Sequence, residues 1–175
     1  MNKLRDLINL VAQEIRNAYG ISVPIENIDE VVEKMGGKIE SIDCMPEDMD
    51  GCIRKDDSGE KFIIYVSEDQ TPARRMFTIA HELGHLFLHM GYQIDPEKWK
   101  MCGKEPIYRR GENSNIEYQA NEFAAAFLMP KDLYIEQVEK NTEGDSVNTE
   151  AIASHFNVSI SAATYRGKYL GLLEW

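Results

Sequence analysis

The chain has 175 residues, 43% hydrophobic and 28% charged, a globular composition with room for one core and little scope for wholesale disorder. A formal charge of −11 opposes loose attachment to nucleic-acid phosphates or an anionic membrane, so neither is an expected partner. Cys44, Cys52 and Cys102 are odd in number and lack CxxC spacing, which excludes a disulfide framework and a thiolate zinc site; three reduced thiols in a cytoplasmic protein are expected.

The opening "MNKLRDLINLVAQEIRNAY" interleaves charges with its apolar positions, and no long apolar run follows, so neither a secretory signal nor a membrane span is expected. Leu4, Ile8, Val11 and Ile15 recur at helical spacing, and Gly20 ends that helix. A short second helix is expected after Pro24, with Ile28, Val31, Val32 and Met35 inward and Gly36 as its stop. "KIESI", "GCIRK" and "KFIIYV" read as strands, the last two joined by "DDSGE" with Gly59 in the turn, and together predict a small antiparallel sheet.

Thr71 and Pro72 form an N-cap and first-turn pair and Gly91 a stop, predicting one helix over 72–90. Residues 91–115 read as a long irregular connection. "IEYQANEFAAAFL" predicts a helix punctuated by Met129 and Pro130, followed by helical "KDLYIEQVEK" and two short helices near 149–156 and 160–170. The last two resemble a helix-turn-helix: Ala153 in the first helix, Asn157 at the turn, Val158 packing after it and Ser159 capping the second. That second helix offers Tyr165, Arg166, Lys168 and Tyr169, a sparse set for reading DNA. A structural helix pair or a protein-recognising surface is the expectation, and direct DNA binding is not.

On a helical wheel the 72–90 segment gathers Met76, Ile79, Leu83, Leu86, Phe87 and Met90 on one face, and Thr78, His81, Glu82 and His85 on the other. A solvated face would carry Lys and Arg; imidazoles bordered by Phe77 and Leu88 suggest a buried purpose. His81 and His85, four residues apart, project side by side and can hold one metal ion. Glu82 lies about 100° around the helix from His81, where a general base belongs. Gly84 costs a helix about 1 kcal/mol against Ala, which points to close approach by another segment.

A catalytic zinc needs a third protein ligand. The pattern HExxHxxGxxH is ruled out, because positions 88 and 91 are Leu88 and Gly91. His89 lies eight residues from His81, about 12 Å of helix rise, and reads as core or cleft lining with ligation a minority option. A carboxylate from another helix remains: Glu117 completes a His, His, Glu set, and Asn121, one turn later, can bond the ring of a ligand histidine, best His81. Glu122, on a different face, reads as an ordinary surface acid.

"RRMFTIAHELGHLFLH" and "EYQANEFAAAFLMP" together resemble the ImmA/IrrE-type zinc metallopeptidases of bacteria, phages and integrative elements, matching the patterns RxxFTxAHELGHxxLH and ExxANxFAxxLLMP in order, with Phe127 where the family usually has Leu. The resemblance implies an α+β, mainly helical, zincin-like metallopeptidase with its core over 1–145 and the helix-turn-helix-like segment 146–175 packed on the same unit. It assigns Zn2+ to His81, His85 and Glu117, the catalytic role to Glu82 and support to Asn121. It also implies a protein substrate, a helix-turn-helix transcriptional repressor of phage or mobile-element type, cleaved at a specific site. Tyr92, Tyr108, Tyr118 and Tyr165 are all open as oxyanion donors. A DNA-binding regulator or an interaction module with a non-catalytic zinc site stands as the alternative, but a purely structural site has no need of Glu82.

Overall fold

A computed structural model describes residues 3–43, 45–46, 49–104 and 114–174; Cys44, Tyr108 and residues 105–113 of the expected long connection lie outside them. Helix α1 (Lys3–Tyr19) stops at Gly20, whose φ of 57° ends the helix as expected. Its inner face is Ile8, Ala12, Ile15 and Arg16, whereas Leu4 stays 38% exposed, so the buried stripe is rotated from the apolar one. Arg16 is the reason: its guanidinium reaches inward to the carbonyl oxygens of Ala126 at 2.7 Å and Phe127 at 3.3 Å. Helix α2 (Ile28–Lys34) is capped by Asn27 and followed by Gly36 at φ 89°.

Strands β1 (Lys38–Ile42), β2 (Gly51–Lys55) and β3 (Phe62–Ser67) form one sheet in the order β1-β3-β2. The β2–β3 hairpin pairs Gly51 with Val66 and Lys55 with Phe62, with Gly59 at φ 78° in the turn. The sheet is mixed and not antiparallel as expected, because β1 runs parallel to β3, from Lys38 opposite Ile63 to Ile42 opposite Ser67. The run Phe62, Ile63, Ile64 and Val66 is buried on both faces and needs a neighbour at each edge; the hairpin takes one edge and β1 the other. Period-two patterning identifies strands but not which edge each will occupy.

Thr71 caps α3 (Pro72–Gly84), its Oγ1 accepting from Arg74 N–H at 3.3 Å. The helix does not continue as α to position 90: His85–Met90 form a π-helical turn that ends at Gly91, φ 79°. Within the stretch expected to be irregular lies α4 (Pro96–Met101), capped by Asp95, which accepts from Lys98 N–H at 3.0 Å. The Asp95–Pro96 pair was the available signal for that helix.

Helices α5 (Ser114–Leu128) and α6 (Lys131–Lys140) follow, then a two-residue hairpin of β4 (Thr142–Glu143) and β5 (Ser146–Val147), then α7 (Thr149–His155) and α8 (Ile160–Tyr169). The α3–α5 contact is tight: a Cβ on Gly84 would stand 3.0 Å from both Cα and O of Ala120. Ile79, Leu83 and Leu86 pack there with Phe123 and Phe127, in a core continuous with Ile152, Phe156 and Ala163 of α7 and α8. The last two helices turn as expected, with Asn157 at φ 55°, Val158 buried and Ser159 Oγ accepting from Ala162 N–H at 3.1 Å.

Two expectations are corrected in this region. Arg166 is not on an exposed face but 2% exposed, and Glu122 is not a surface acid but 5% exposed. Arg166 Nη1 meets Glu122 Oε1 at 3.2 Å, while its Nε and Nη2 donate to Met129 O at 3.0 Å and Asn9 Oδ1 at 2.8 Å. Asn9 Nδ2 donates in turn to Glu122 Oε1 at 2.6 Å. The physical reason is the end of α5, whose last carbonyls need donors; Arg16 and Arg166 supply them, and Glu122 balances the charge.

Removing one partner of this buried pair leaves the other uncompensated, so Arg166→Met is expected to lower stability by about 3–5 kcal/mol, with Glu122→Gln added to it recovering part of the loss in a urea-unfolding cycle. A second, more exposed pair ties α3 to α2: Arg75 donates to Asp29 at 2.6 and 2.7 Å, and these bonds hold the Asp29 carboxyl below its ordinary 3.8. Stability from a carboxyl lowered in the folded state is present above its unfolded pKa and lost as pH falls through the folded one. Asp29→Asn should therefore cost up to about 1 kcal/mol at neutral pH, and urea midpoints should converge with the native chain's on acidification.

Candidate metal centre

His81 on α3, His85 at the start of the π-helical turn and Glu117 on α5 each offer one ligand atom, all within 4.8 Å of one another. His81 Nε2 stands 3.0 Å from His85 Nε2 and 3.1 Å from Glu117 Oε2, and His85 Nε2 lies 3.4 Å from Glu117 Oε1. Two imidazole nitrogens aimed at each other at that distance repel unless a proton or a metal cation lies between them. The donor set, two imidazoles and one carboxylate, is one that suits zinc and allows manganese or iron.

The titration state of the cluster agrees with that demand. Burial opposes charge on His81, but the hydrogen bond to Glu117 and the charge of Glu82 outweigh it and raise its pKa. Burial, reinforced by His81, pushes His85 well below the usual imidazole range and keeps it neutral, the form that ligates. Burial would raise Glu117, yet the bond to His81 prevails and its carboxyl stays low.

Both rings are oriented from behind. Asn121 Oδ1 lies 2.9 Å from His81 Nδ1 and holds a proton there, so that a metal ion taking the place of the proton shared between Nε2 and Glu117 would find the Nε2 lone pair free to bind it. His85 Nδ1 lies 3.0 Å from His89 Nδ1, and His89 Nε2 lies 3.4 Å from Gln119 Oε1. With His85 donating to His89 and His89 to Gln119, the His85 Nε2 lone pair is likewise directed at the cluster. His89 is thus a supporting neighbour of His85 and is not among the converging ligand atoms. The π-helical turn puts it there, because a wider turn brings residues four apart closer to one line than an α-helix does.

Glu82 is 5% exposed and lines a cavity of about 320 Å³ together with Thr78, His81, His85, Glu117 and Asn121. All five side chains singled out from the sequence, His81, Glu82, His85, Glu117 and Asn121, meet around this space. Sequence reading missed the opposite wall, formed by Met49, Asp50 and Gly51 at the start of β2. Gly51 is needed for fit: a Cβ there would stand 2.7 Å from Thr78 Cγ2, 3.0 Å from Tyr65 O and 3.5 Å from Glu82 Cγ. A glycine opening an apolar strand was the signal for such an approach. Cys52, next in the strand, has its thiol pushed up to about 11, by burial and then by the Glu82 charge, and stays protonated.

The tyrosines considered as oxyanion donors do not line this cavity among the described residues. Tyr92 is buried and donates to Met35 O at 2.9 Å, Tyr118 Oη accepts from Arg5 Nη2 at 3.1 Å, and Tyr165 lines a neighbouring groove. Thr78, buried on α3, is the hydroxyl that lines it among the described residues. No helix among the described residues is long and apolar enough to cross a membrane.

Comparison with known proteins gives the same direction. The chain is 28% identical over 121 residues to the metallopeptidase ImmA of Bacillus subtilis (strain 168), an alignment covering 69% of this chain and 64% of that protein. A solved structure of a Mycobacterium tuberculosis transcriptional regulator superposes with a TM-score of 0.56 at 15% identity, covering 94% of this chain and 50% of the other, which bears on the fold alone. This chain therefore spans less than two thirds of either protein. The sequence profile of the peptidase M78 family, described as the IrrE N-terminal-like domain, matches residues 32–168, and with that span matched the chain belongs to this family.

Proposed function

We propose that the chain is a zinc-dependent endopeptidase that cuts a protein substrate at a defined site. The observation that carries this reading is the convergence of His81, His85 and Glu117 within 4.8 Å, with the buried Glu82 opening onto the same cavity. His81, His85 and Glu117 would hold the ion, and Asn121 and His89 fix the rings. A zinc ion held there supplies a Lewis acid that acidifies water and polarises the scissile carbonyl. Glu82 is the proton carrier: its carboxylate takes a proton from the attacking water and delivers it to the leaving amide nitrogen. The absence of a side chain at Gly51 leaves room for its stem, and burial keeps bulk water from competing for its proton.

The family likeness supports a transcriptional repressor of helix-turn-helix type as the substrate, with residues 1–145 as the peptidase core and 146–175 as a packed accessory segment. Unbridged Cys52 and Cys102 are consistent with a cytoplasmic setting. The DNA-binding alternative loses one of its candidate contacts, since Arg166 is buried against Glu122.

In cells co-expressing a neighbouring repressor gene, the native chain should generate one or a few new protein N-termini that are absent with Glu82→Gln. The variant should lose at least about 100-fold in cleavage rate while binding zinc equally. New termini that persist in the variant would overturn the assignment of Glu82. Gly84→Ala should force Ala120 away from α3, costing about 1–3 kcal/mol of stability. Because Glu117 sits on the displaced helix, zinc retention against a chelator should fall with it, which atomic absorption after dialysis would read.

A further inference from the structure

The cavity around Glu82 does not end at the metal ligands. Asp50, Phe77, Thr78 and Asn121 line both it and an adjoining groove of about 640 Å³ between α3, α5 and α8, a volume within the range that encloses small ligands or side chains. Ala125 and Ala162 leave room in this groove, and Phe77 and Tyr165 form its walls. Its charges are already matched: Arg166 and Glu122 pair at 3.2 Å, with side chains 1% and 4% exposed, and at the rim Arg74 meets Asp50 at 2.6 Å. A charged side chain entering would find no uncompensated partner, whereas an apolar one would be desolvated against aromatic and methyl surface. Tyr165 is 55% exposed, an aromatic body left on the surface where binding would cover it.

We propose that this groove is the specificity pocket of the peptidase and takes one large apolar side chain, of the leucine, methionine or phenylalanine kind, from the polypeptide being cut. The inference rests on the peptidase reading of the metal centre. Asn121, which lies 2.9 Å from His81, borders both spaces, so the residue filling the groove lies within about one or two positions of the scissile bond at roughly 3.4 Å per extended residue. The second helix of the helix-turn-helix-like pair then acts as a pocket wall that reads a protein and not a base sequence. The strong negative charge of the chain favours a basic polypeptide in the encounter, while the groove itself selects for bulk without charge.

The test is a random peptide library presented to the zinc-loaded protein and read in two ways: cleavage by the native chain, and retention on Glu82→Gln. Retained and cleaved peptides should share one position rich in leucine, methionine or phenylalanine. Changing that residue to serine in a selected peptide should weaken retention by roughly tenfold or more. Ala162→Trp, which narrows the groove at its α8 wall, should reduce the preference sharply, and Tyr165→Ala should weaken it, both with zinc content kept. Retention with the apolar preference but without cleavage would uphold the groove and sink the peptidase reading. Cleavage without that preference, a preference undiminished by Ala162→Trp, or no retained peptide at all would overturn the groove.

Discussion

The absence of one side-chain carbon at Gly84 sets the distance on which the rest of the centre depends. Any other residue would place a Cβ 3.0 Å from the Ala120 backbone, inside normal contact distance, so α3 and α5 could not cross as closely as they do. Glu117 lies three residues before Ala120 and Asn121 one after it, so both are carried to His81 by that crossing. Two helices thus supply what neither could alone. The i, i+4 pair gives a rigid bite from one side, and a carboxylate and amide one turn apart close it from the other.

Charge at the far end of α5 is handled by the same economy of partners. The helix ends inside the protein, where its terminal carbonyls have no water to satisfy them. Arg16 from α1 and Arg166 from α8 fill that role, and burial together with its neighbour Arg166 lowers Arg16 to about 10. Glu122 offsets the positive charge, with Arg5 adding a contact at 3.4 Å from the edge. The residue beside Asn121 therefore belongs to the framework, although the two are adjacent in sequence and similarly polar.

The candidate site was legible because its pattern is written in local spacing: His81, Glu82 and His85 on one turn, Glu117 and Asn121 on another, Gly84 at the point of contact. The caps at Thr71, Asp95 and Ser159 were legible for the same reason, although the signal at Asp95 was overlooked. What escaped depends on relations across the chain. No local pattern says that β1 will lie parallel to β3, that the last turn after His85 will widen, or that Arg166 will point inward to meet a carboxylate 44 residues earlier. Arg166 looked exposed because charge normally is, and the exception required a partner that only the fold could bring near.

The buried bridge from Asn9 through Glu122 to Arg166 spans 157 residues of chain and has a consequence for biosynthesis. A ribosome delivers the histidines, Glu117 and Asn121 well before α8 emerges. Until then Glu122, beside the candidate metal centre, has Arg5 at its edge but lacks its buried arginine. The groove beside the centre also lacks its third wall. The side chains of the candidate metal centre are thus all synthesised before the helix that gives Glu122 its buried arginine and the groove its third wall, so the packing at this end of α5 is completed after them.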